Sequence, residues 1–335
     1  MVTVNLSLAS FDTQFRVMLD SVPFLPESWD QDPKRRREAR IPEDVHYRPK
    51  YDIGLEEVDD ARRNGIWFSW MNADGWYGQK PKFIVGLQQR QQRFVLDIPS
   101  NFRCWSYDPR LAKREQPSKE VRNLARYSRH MLRQPWTRVY LKDTEKGPQV
   151  WEAKTMPVWM ELEGQMYGPW WLVWARDVMH PGDEKFLLSN ASAGVPFEVI
   201  LHVGFSRWPI ERCLEDEKSE LGMSHFEVRK YPSICRHLTL TMVSHLFLAR
   251  QTKRLRGEKS GDHNLPSARR DERPDPYALP VPGRSPGGAG TAIENRKVLP
   301  ASQRCRPKFP YQDETSATST PRHRLERNTV LQAAG

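Results

Sequence analysis

The order of elements in the first hundred residues is what most constrains the fold. Val2, Val4, Leu6 and Leu8 alternate with period two, and Phe15, Val17 and Leu19 do so again, which predicts two strands sharing one sheet. Leu25-Pro26-Glu27-Ser28-Trp29 then opens a loop rich in Pro, Asp and Arg that runs to about residue 50. Apolar residues at Ile53, Leu55, Val58 and Ala61 predict an amphipathic helix over 51–64, closed by Gly65 as its C-terminal cap. The run 66–78 predicts a buried strand stopping at Asp74, followed by a helix over about 80–91 and a strand over 93–99. Strand, strand, helix, strand, helix, strand is a mixed α/β order with the sheet at the centre.

From 98 to 197 the pattern changes. A basic helix is predicted over 118–132, and short alternating pieces follow at 138–141, 150–153, 158–162, 170–175 and 186–188, which make a β-rich insertion. Trp151, Trp159, Trp170, Trp171 and Trp174 fall in it. Such residues either stack on unpaired bases or form the core of a small sheet, and the second use is the commoner one.

Residues 207–221 combine helical periodicity with a face of opposite charges. Ile210, Cys213, Leu214 and Leu221 fall on one side at 3.6 residues per turn, and Arg207, Glu211 and Lys218 cluster beside them. One carboxylate is thereby set between two cations, with Pro209 in the first turn, where its missing N–H removes no helical bond. Without further information this is a surface helix with salt-bridge pairs. Asp74 has two readings as well. An acid at a strand end is where oxygen ligands for Mg²⁺ converge, and an Asp-Gly turn is also an ordinary helix cap.

The net charge of +10 favours an anionic partner, nucleic acid before membrane, because no stretch approaches 18 uninterrupted apolar residues. All 12 tryptophans lie between Trp29 and Trp208, and from Gln251 onward 16 Lys plus Arg face 9 Asp plus Glu among ten prolines. Residues 251–335 are therefore expected to be a basic, disordered tail. Cys104, Cys213, Cys235 and Cys305 form no C-x-x-C pair, which argues for free thiols in a reducing compartment. His225, His237 and His245 are expected to be buried, hydrogen-bonded side chains rather than metal ligands.

These residues carry a family resemblance. The 207–221 helix, with Glu220-Leu221-Gly222-Met223-Ser224-His225-Phe226 and Arg236-His237-Leu238-Thr239-Leu240, resembles the C-terminal part of DDE transposases of bacterial insertion sequences. One branch has Tyr, two residues, Arg, three residues, Glu, six residues, Lys. Arg207, Glu211 and Lys218 match that spacing, whereas the tyrosine position holds Gly204 with Phe205 beside it. Asn72-Ala73-Asp74-Gly75-Trp76-Tyr77-Gly78 is similar to the segment bearing the second catalytic aspartate, and Leu25-Pro26-Glu27-Ser28-Trp29 to another family stretch.

The resemblance implies a ribonuclease-H-like mixed sheet, its core in 1–100 and 201–250, interrupted by the insertion at 101–200. It implies Asp74 and Glu211 as catalytic, metal-binding carboxylates for two Mg²⁺ ions that drive in-line attack on a DNA phosphodiester. Arg207 and Lys218 would meet phosphates of double-stranded transposon ends. A cytoplasmic, nucleoid-associated bacterial protein, able to form a homodimer on DNA, is implied too.

In that arrangement the first aspartate lies on a central strand beside the one ending in the second. The chain opens instead on the strand whose counterpart follows it, so an N-terminal truncation, two exposed strand edges and an inactive enzyme are expected. Asp12 and Asp20 are the nearest acids, and both follow the alternating runs. A non-catalytic DNA-binding remnant is the alternative, and an unrelated nuclease using Asp216, Glu217 and Lys218 a distant third.

Overall fold

Alternation does produce the first two strands. In the computed structural model, which describes residues 2–10, 15–114, 116–144, 147–259 and 329–334, β1 (Thr3–Ser10) and β2 (Arg16–Pro23) pair antiparallel, with an irregularity between Leu6 and Ser7. The predicted loop after β2 contains two short helices, α1 (Glu27–Asp30) and α2 (Pro33–Ala39). Local chemistry explains the second: Pro33 fits its first turn, and the Asp32 side chain accepts hydrogen bonds from the N–H groups of Lys34 and Arg35. Helix α3 (Lys50–Arg63) buries Ile53, Leu55, Val58 and Ala61, as their spacing demands, and ends before Gly65 at φ 75°.

Next come β3 (Trp70–Ala73), α4 (Gly75–Gly78), α5 (Pro81–Gln89) and β4 (Phe94–Ile98). The strand predicted from residue 66 starts only at Trp70, because its neighbour β4 begins at Phe94, level with Met71. After β5 (Arg103–Cys104) and β6 (Lys119–Glu120), the basic helix divides into α6 (Val121–Tyr127) and α7 (Arg129–Arg133). Ser128 makes the break: its backbone is extended (ψ 137°) and its hydroxyl caps α7 by accepting from the Met131 N–H.

Strands β7 (Thr137–Thr144), β8 (Gly147–Leu162), β9 (Gln165–Asp177) and β10 (Glu184–Ser189) form an antiparallel meander. They build no separate sheet, since β10 pairs with β4 and extends the central one. Helices α8 (Phe197–Phe205), α9 (Trp208–Ser219) and α10 (Tyr231–Lys259) follow, and β11 (Thr329–Ala334) is the last described element. The nine-stranded order is β2-β1-β11-β3-β4-β10-β9-β8-β7. β3 runs parallel to both β11 and β4, so the sheet is mixed, as the element order requires.

One point corrects the sequence reading. The edges of β1 and β3 are not exposed, because β11 lies between them, antiparallel to β1 and parallel to β3. The expected disordered tail is also corrected in part: residues 251–259 continue α10 and 329–334 form β11, while residues 260–328, with Cys305, and residue 335 lie outside the described set.

Each face of the sheet carries a core. On one, Phe83, Ile84 and Leu87 of α5 and Ile53 and Val58 of α3 meet Met71, Phe94 and Leu96. On the other, Ile200, Leu201 and Val203 of α8 pack with Val95, Val173 and Leu187, and a third cluster joins Cys213 of α9 and Met242 of α10 to Met18 of β2. Of the five insertion tryptophans, Trp151 and Trp170 are buried in these cores and Trp171 and Trp174 pack against them. Trp151 packs on Phe205 at 4.7 Å between centroids, Trp170 lies edge-on to Phe94 at 5.3 Å, and Trp174 meets Trp136 at 4.8 Å. Among the described residues no helix is long and apolar enough to cross a membrane.

Candidate functional site

Three consecutive strands place residues on one line. Ala73 is level with Leu96 in parallel β4 and with Ala333 in parallel β11, so one residue on, Asp74 stands level with Asp97 and with Ala334. Parallel neighbours in register project to the same side of a sheet. Asp74 and Asp97 are therefore adjacent acids at the carboxyl ends of β3 and β4.

Asp74 fulfils its reading as a helix cap. It ends the strand, and its Oδ1 accepts hydrogen bonds from the N–H groups of Trp76 and Tyr77 at 2.9 and 3.2 Å, capping α4. The second glycine after it, Gly78, has a packing reason. A Cβ on Gly78 would collide with the carbonyl oxygen of Asp97, so α4 lies directly on β4 only because residue 78 has no side chain.

Asp97 was not singled out from the sequence. Its Oδ1 is enclosed and has no hydrogen-bond partner, and its Oδ2 lies 3.7 Å from Lys185 Nζ and 4.0 Å from Arg207 Nε. Burial raises its pKa above the usual aspartate value. The charges of Lys185 and Arg207 oppose that rise, and the neighbouring Asp74 adds to it. The available signal was an acid inside the apolar run Phe94-Val95-Leu96-Asp97-Ile98, where burial needs a partner.

Arg207 carries the line to the helix. It starts α9, and its Nη2 lies 2.5 Å from Oε1 of Glu211, one turn on. The predicted pair thus forms, with Ile210 and Cys213 buried on the inner side of the helix and Glu211 on the outer. Lys218 lies two turns beyond Glu211, about 10 Å along the axis, exposed and with no ion pair among the described residues. Asp216, the third nuclease candidate, is held by Arg16 and Arg212 at 3.1 Å each, and Glu217 is buried against His245, so neither faces this line.

Gly204 explains the departure at the tyrosine position. There α8 presses on the sheet, and a Cβ would strike Leu187 Cδ1 and approach Val95 Cγ1 to 3.2 Å. Asn72 fastens the same contact by donating from Nδ2 to the carbonyls of Val203 and Gly204 at 2.5 and 3.3 Å. Of the three histidines expected to be buried, only His245 is, bonding Glu217 at 3.2 Å; His237 is half-buried and bonds the Gly222 carbonyl at 3.0 Å, and His225 is exposed, which corrects that expectation.

Among the described residues no group of three or more His, Cys, Asp or Glu side chains is arranged to hold a metal ion. Glu211 is paired with a guanidinium, Asp74 is engaged as a cap, and the position level with Asp74 on β11 is an alanine. A pair of divalent ions needs carboxylates converging from several elements. The residues as arranged do not fit two such ions.

The fold is thus α/β with a mixed central sheet, with acids at the ends of two parallel strands and Lys185 and Arg207 beside one of them. Residues 1–158 match the sequence model of the family described as DDE superfamily endonuclease, which supports a DDE-type transposase or nuclease affiliation. The match spans Asp74 and Asp97 and ends within β8, before Arg207, Glu211 and Lys218. Members of that superfamily act on DNA and generally use divalent metals. No curated protein matches the chain.

Proposed function

We propose that this chain is a DDE-type DNA transposase protein that binds the double-stranded ends of an insertion sequence and, by itself, does not cut them. The observation that carries this reading is the line Asp74, Asp97, Arg207, Glu211, in which the Arg207 guanidinium lies between Asp97 and Glu211. A basic chain presenting cations beside the strand ends binds phosphates. Arg207 and Lys218 are the phosphate contacts, and Asp74 and Glu211 occupy the catalytic positions that the family resemblance implies.

Cleavage with two Mg²⁺ ions would need a third carboxylate beside Asp74. The level position on β11 is Ala334, and Asp97 is drawn to Lys185 and Arg207 instead. Without a group that neutralises charge developing on the phosphate, bound DNA stays intact. The test is incubation of the purified chain with DNA bearing terminal inverted repeats, with and without Mg²⁺. Salt-dependent binding without nicking is the expected result. Nicking abolished by Asp74→Asn would overturn the inactive reading, and absence of DNA binding at low salt would overturn the whole assignment.

A further inference from the structure

β11 lies far from the rest of the sheet in sequence. Both walls of its position, β1 and β3, belong to the first 73 residues, and 69 residues, 260–328, separate β11 from the end of α10. Its backbone pairs on both sides: Asn5, Leu6, Ser7, Leu8, Ala9 and Ser10 on the β1 side, and Trp70, Met71, Asn72 and Ala73 on the β3 side. Val330 is fully buried in the core beneath α8.

We propose that the slot between β1 and β3 is a strand-acceptor site, whose ligand is an extended peptide and whose occupant is this chain's own C-terminal segment. Removing the occupant would leave two rows of backbone N–H and C=O groups unpaired, so the slot holds a β-strand in preference to water. Main-chain hydrogen bonds supply affinity for any extended segment, and the enclosed place of Val330 supplies selectivity for a β-branched apolar side chain at the second position. The intervening 69 residues have a fully extended reach of about 230 Å, so covalent connection does not confine the strand to its own chain. This inference rests on strand pairing and is independent of the DNA reading.

Two experiments on the full-length chain test it. In Ser7→Cys/Gln332→Cys, whose positions are Cα partners, oxidation should link residues 7 and 332, and neither single variant should show that link. A link within one chain places the strand in its own slot; a link between two chains shows copies exchanging strands. Both support an acceptor site, and no 7–332 link overturns it. In the second experiment, a fluorescein-labelled peptide with the sequence of residues 328–335 is titrated into wild type and Val330→Asp. Burying an aspartate disfavours the internal strand, so the variant should take up the peptide at least about tenfold more than wild type. Val330→Ala serves if Val330→Asp loses its cooperative melt. Equal uptake by wild type and the folded variant overturns the proposal.

Discussion

Arg207 joins two acids that arrive from different elements: its Nη2 is 2.5 Å from Oε1 of Glu211 on the same helix, and its Nε is 4.0 Å from Oδ2 of Asp97 at the end of β4. Helix geometry alone gives the first contact, one turn apart. The second exists only because the fold brings the start of α9 beside the end of β4, and it makes Asp97 the link between Asp74 and Glu211.

Arg207→Ala and Lys218→Ala are each expected to lower DNA affinity and to flatten the plot of log affinity against log salt by about one unit, because in the proposed function each supplies one point charge to the phosphate backbone. A slope unchanged in both variants would show that neither meets phosphate.

Asp97 gives a pH signature. Its pKa is raised from the ordinary 3.8, chiefly by burial, so the folded state holds the proton more tightly than the unfolded state does. Stability from this group is therefore greatest below pH 3.8 and falls as pH rises to the elevated folded value. Asp97→Asn should remove that fall without lowering the melting temperature at pH 7. Melting curves of both proteins across pH 3 to 8 check it.

Glu217 and His245 form a buried pair, 0% and 6% exposed by side chain, at 3.2 Å between α9 and α10. His245→Phe leaves a carboxylate enclosed without its partner and should cost about 3–5 kcal/mol in urea unfolding. Replacing both with apolar residues, as in Glu217→Leu/His245→Phe, should recover most of that loss.

Gly204→Ala should cost about 1–3 kcal/mol, because the added Cβ meets Leu187 Cδ1 inside a filled interface. Gly204→Tyr, which would place at this position the tyrosine that the resemblance implies, should prevent α8 from seating on the sheet. Equilibrium unfolding of the alanine variant and near-ultraviolet circular dichroism of the tyrosine variant measure these effects.

Patterns that repeat every two or 3.6 residues were legible in the sequence because they are local. Alternation gave β1 and β2, and the buried faces of α3 and α9 followed from the spacing of Ile53, Leu55, Val58 and of Ile210, Cys213. The ion pair of Arg207 with Glu211 was equally readable, since four residues make one helical turn. Register across the sheet was not. That Asp97 stands beside Asp74, that β7 to β10 extend the central sheet, and that residues 329–334 enter between β1 and β3 all depend on pairings between distant segments. Such pairings are selected by the burial and backbone hydrogen bonding of the assembled sheet. Thr329-Val330-Leu331-Gln332-Ala333-Ala334 carries no local sign of its neighbours, and only the unpaired edges of β1 and β3 gave it a place.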